Sequence, residues 1–101
     1  MPKILVTSTP SGEAPDWVRE AWVGLKLPLS RIPEEEYGLT VGPFSRRPVP
    51  EEQDGYRVDS DAAVDALRGS QPNAAEWWIT RGYGLPGSIF VFGRQFCEPV
   101  S

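Results

Sequence analysis

Reactive side chains are scarce in this chain, and their spacing limits the chemistry open to it. There is no histidine. The commonest general base is missing, and with it the Ser-His and Cys-His nucleophile pairs. The usual transition-metal ligand is missing too. The single cysteine, Cys97, allows no disulfide within the chain and no cysteine-based zinc site. A reactive thiol needs a positive neighbour or a helix N-terminus to lower its pKa. Cys97 has Glu98 beside it, and Arg94 falls on the other face of a regular strand. The expectation is a buried, inert thiol.

The carboxylates offer little more. Asp59, Asp61 and Asp65 lie close together in "DSDAAVD". A calcium loop counted from Asp59 needs a glycine at its sixth position and a glutamate at its twelfth, where this chain has Val64 and Ser70. Acids at a helix start explain the cluster without a metal. Glycoside chemistry needs two carboxylates held across a cleft, and nothing in Glu34–Glu36 or Glu51–Asp54 sets that geometry. Gly82, Gly84 and Gly87 have the offsets of a dinucleotide fingerprint, but Pro86 and a strand follow where a helix must open. The chain therefore reads as non-enzymatic, with no cofactor and no metal.

Recognition residues are easier to nominate. "SRRPVPEE" joins Arg46 and Arg47 to Pro48 and Pro50, which favour an extended, polyproline-like form. Glu34, Glu35 and Glu36 form an exposed acidic run. Trp77 and Trp78 are adjacent, so on a helix their rings point about 100° apart and both can be partly buried. A partly exposed tryptophan is a natural binding anchor. Trp22 is the last candidate, and its status depends on "DWVREAWVGLKL". Trp17, Val18, Ala21, Trp22 and Leu25 suit a helical stripe, while Ala21, Val23, Leu25 and Leu27 alternate as in a strand. Gly24 and Pro28 oppose a long helix. The compromise is a helical turn at 15–19 and a strand over 20–27. Trp17 then enters the core with Val23, Leu25 and Leu27, leaving Trp22 on the other face.

The elements that must hold these residues are short. A length of 101 residues suits one domain, and 40% hydrophobic with 11% aromatic residues is enough for a packed core. Eleven prolines and ten glycines imply frequent turns. "KILVTS" reads as a strand over 3–8, and alternation places others near 36–42 and 56–59. A tight turn is expected at Asp54-Gly55. "SDAAVDALRGS" is the clearest helix, with Ser60 as cap and Gly69 as stop. A second short helix is expected at 73–79. "SIFVFGRQFC" is a final strand over 88–97, its apolar run buried on both faces, with Gly93 marking a bulge. The fold class is α+β: a small, mostly antiparallel sheet of about five strands, with two short helices inserted before the last strand. A partly closed, SH3-like barrel is one version.

Charge narrows the partners. The net charge is −4, and residues 34–65 hold nine acids against three arginines, a balance of −6. Non-specific nucleic-acid binding needs a basic patch, so nucleic acid is not expected. No window approaches a membrane span, and the apolar run in "MPKILVTSTP" is too short for a signal peptide. A lone thiol suits a reducing compartment, so the expectation is cytoplasmic. The leading expectation is a protein-interaction or regulatory module. One alternative is an acidic inhibitor or immunity-type protein covering a basic partner. Another is a small-ligand-binding domain or enzyme with a pocket lined by Trp77, Tyr83 or Tyr56 beside a carboxylate.

Overall fold

The computed structural model describes residues 2–9, 12, 14–33, 36, 40–41 and 55–100. Among the described residues six strands and three helices follow one another: β1 (Lys3–Val6), α1 (Asp16–Glu20), β2 (Lys26–Pro28), β3 (Thr40–Val41), β4 (Tyr56–Asp59), α2 (Ser60–Ser70), α3 (Pro72–Ile79), β5 (Ile89–Phe92) and β6 (Cys97–Val100). A 3-10 turn over Arg94–Phe96 separates the last two strands. The α+β class and the mostly antiparallel pairing are present. The strands form two three-stranded sheets, ordered β2-β1-β6 and β3-β5-β4, and only β3 with β5 is parallel. The described strands form no closed barrel.

One backbone contact stitches the sheets together. In the first sheet β1 pairs antiparallel with β2 and β6, with Ile4 opposite both Leu27 and Pro99. Val6 N–H bonds Leu25 and Thr7 N–H bonds Phe96. Even-numbered residues of β1 therefore bond β2, and odd-numbered ones bond β6. The same parity turns Pro28 outward on β2 and Pro99 outward on β6. Past Pro28, Ser30 N–H reaches Arg57 O on the outer edge of β4 at 2.7 Å. That bond makes a seam between β2 and β4. Ser30 Oγ also donates to the Asp59 carboxylate and accepts from Ile32 N–H at 3.1 Å.

The core lies between the sheets and helices α2 and α3. Ile4 and Val6 supply the inner face of β1, and Phe90 and Phe92 supply that of β5. Ile89 and Val91, on the other face of β5, are buried as well, so the run is covered on both sides. The single strand expected over 88–97 is two, because Gly93 begins the 3-10 turn.

Two helix-end expectations are corrected. Ser60 is not the cap of α2; Asp59 is, without a side-chain capping bond. The Ser60 hydroxyl is instead buried and accepts Gly84 N–H at 2.9 Å. Gly69 does not stop α2, which continues to Ser70 before Pro72 opens α3. The tight turn expected at Asp54-Gly55 lies outside the described residues, because Asp54 is not among them.

The largest correction concerns residues 15–27. The helical turn forms as α1, but the following strand does not begin at residue 20. Residues 21–24 are turns, with Gly24 at φ +92°, and β2 spans only Lys26–Pro28. Trp22 is therefore core, at 0% exposure, whereas Trp17 is 53% and Val23 45% exposed. Val18 and Trp22, four apart, share the buried side, as continued helical geometry requires.

Candidate functional site

A chain of aromatic rings runs from the core to the surface on α3. Trp22 packs edge-on against Phe92 and Phe90, with centroids 5.6 and 5.9 Å away. Its ring meets that of Trp78 at 6.4 Å. Trp78 in turn touches Tyr83 at 4.7 Å and Trp77 at 4.8 Å, both nearly perpendicular. Perpendicular packing suits rings with negative faces and positive edges. Among the described residues the buried indole N–H groups of Trp22 and Trp78 meet no hydrogen-bond acceptor.

Trp77 ends this chain at the rim. It is half-buried and packs against the core. The Arg81 guanidinium lies 3.8 Å from its ring centroid, a cation–π contact. Arg81 is locked there because its Nη1 donates to Trp77 O at 2.9 Å and to Thr80 Oγ1 at 3.3 Å. Spacing explains the contact, since positions four apart on a helix are neighbours. Helix α1 packs beside α3 and displays Trp17. Arg19 braces α1, donating to Ala14 O at 2.9 Å and pairing with Asp16.

The nominated residues thus divide. Trp22 and Trp78 are buried and offer no surface; for Trp22 this overturns the expected outward face. Trp77 is at the rim. Glu36 is exposed, with its N–H on Pro33 O at 2.9 Å. Glu34, Glu35, Arg46 and Arg47 lie outside the described residues. The exposed anchor that sequence reasoning missed is Trp17. Its signal was the i to i+4 spacing of Val18 and Trp22, which turns Trp17 away once the helical path continues.

The groups weighed for chemistry stand apart. Cys97 is buried at 7% exposure. Asp61 accepts Ala62 N–H, Asp65 pairs with Arg68 at 3.4 Å, and Asp59 holds Ser30. Among the described residues no three acids, cysteines or histidines are grouped to hold a metal ion. Gly82, Gly84 and Gly87 all take positive φ in the turns between α3 and β5, and no helix follows them. Among the described residues no helix is long and apolar enough to cross a membrane.

A cleft of about 290 Å³ opens at the seam, lined by Leu29, Ser30, Gly55, Tyr56, Arg57 and Arg94. Among the described residues it is lined by Tyr56 but not by Trp77 or Tyr83, and by no carboxylate.

No family model matches this chain, and no curated protein and no solved structure matches it either.

Proposed function

We propose that the chain is a non-enzymatic interaction module that binds another protein through the surface of α1 and α3. The observation that carries this reading is the 53% exposure of Trp17 on a helix packed beside the one bearing Trp77, whose ring Arg81 of the following turn covers. Tryptophan and arginine are the residues most enriched among binding hot spots. An exposed tryptophan loses apolar hydration when covered, and Arg81 already sits in a stacked geometry that a partner can extend. A cytoplasmic setting fits the lone thiol.

Affinity capture with cross-linking in the source organism tests the proposal. The wild-type chain is expected to capture a protein that Trp17→Ser and Trp77→Ala lose. Recovery of the free monomer alone overturns it. The acidic balance of residues 34–65 supports a competing reading, an inhibitor of a basic partner. Salt separates the two: binding through the tryptophans persists at high ionic strength, whereas binding through the acids collapses.

A further inference from the structure

The surface of α1 and α3 has charge left over, and that charge is negative. Its arginines are used within the chain. Arg19 is half-buried, donates to Ala14 O at 2.9 Å and pairs with Asp16. Arg81, in the turn after α3, lies 3.8 Å from the Trp77 ring centroid and donates to Trp77 O. The acids are not matched in the same way. Glu20 on α1 and Glu76 on α3 are exposed, and neither forms an ion pair among the described residues. The two tryptophans divide likewise. The Trp77 ring already has a cation over it, whereas no cation and no second ring lies against Trp17 among the described residues. Trp17 and Glu20 are three apart on α1, so they are neighbours on its surface. An electron-rich ring face and an unmatched carboxylate thus stand side by side, and both attract a cation.

We propose that this surface takes a partner segment presenting an arginine, whose guanidinium lies on the Trp17 ring and bonds the Glu20 carboxylate. The inference rests on the reading of α1 and α3 as a binding surface and adds what the partner must carry. Arginine is preferred to lysine because its planar fork stacks on an indole and still reaches a carboxylate. Arg81 on Trp77 shows the same stacking within this chain. One exposed ion pair is only mildly weakened by salt, so such a complex keeps its tolerance of ionic strength.

Panning a phage-displayed library of random dodecapeptides on the immobilised full chain tests the assignment. Fluorescence polarisation then measures the affinity of the recovered peptides. They are expected to share an arginine, and citrulline in its place should weaken binding about fivefold or more. Trp17→Ala should weaken it about tenfold or more, and Glu20→Gln about threefold. Asp65→Asn, on the exposed side of α2, should leave it unchanged. Circular dichroism checks that the variants fold. If Trp17→Ala does not, Trp17→Leu takes its place, keeping apolar bulk but removing the ring, and should still weaken binding. Peptides that need Trp17 but share no arginine overturn this inference and leave the tryptophan surface standing. Peptides indifferent to Trp17, or no recovered peptide at all, overturn it as well and count against that surface. Unchanged affinity in folded Glu20→Gln removes the carboxylate and overturns the proposed pairing.

Discussion

Removing the Trp22 side chain opens a cavity among Trp78, Phe90 and Phe92, the rings it touches. Trp22→Ala is expected to destabilise the fold by about 3–5 kcal/mol. Trp17→Ala, five positions earlier, should change stability by no more than about 0.5 kcal/mol, because that ring is mostly in water. Urea unfolding of the two variants measures the contrast. Gly84 offers a second residue-scale test. It holds φ +85°, and a Cβ there would meet the Val64 side chain at 3.2–3.3 Å. Gly82 has a similar φ with nothing within 4 Å. Gly84→Ala should therefore cost about 2 kcal/mol or more, and Gly82→Ala about 1 kcal/mol. Equal losses in thermal unfolding would show that Val64 yields without penalty.

Among the elements, α2 contains a correctable weakness. Gly69 lies inside the helix, and a Cβ there meets nothing within 4 Å. Gly69→Ala should stabilise the protein by about 0.5–1 kcal/mol, read as a raised melting temperature. The helical path through Gly69 also shows where local signals stop being informative. A glycine two residues before Gln71 reads as a stop, yet Pro72 starts the next helix and α2 fills the space up to it. Elements with one dominant pattern were legible: β4 at 56–59, the Ala-rich α2, and the β5 run buried on both faces. The strand after α1 was not, because Ala21, Val23, Leu25 and Leu27 alternate while Val18 and Trp22 keep helical spacing. Burial of the larger side chain decided between them. Trp22 removes far more apolar surface from water than Val23 does, so the chain turns to bring Trp22 inside. The candidate site was half legible for the same reason: Trp77 and Arg81 follow from helical spacing, whereas Trp17 depended on that choice. The seam cleft was not legible, since Leu29–Ser30, Gly55–Arg57 and Arg94 are brought together only by strand packing.

At the scale of the whole molecule, Cys97 reports on opening. It sits at 7% exposure on β6, which is held to β1 along four register pairs. Labelling by a thiol reagent should be slow in the native state and rise with urea as the fold opens. Fast labelling without denaturant would mean that β6 detaches by itself. The outer side of β6 has a further property. Cys97 N–H bonds Arg94 O, and Pro99, the other outward residue, has no N–H to give. Neither position thus presents a backbone N–H to a neighbouring strand. Pro99→Val restores one donor and should produce concentration-dependent self-association in sedimentation velocity. Missing donors at this border work against strand-to-strand addition, so crowded copies are expected to find little purchase for extending the sheet here. A partner that docks along β6 is therefore expected to rely on side chains more than on backbone pairing.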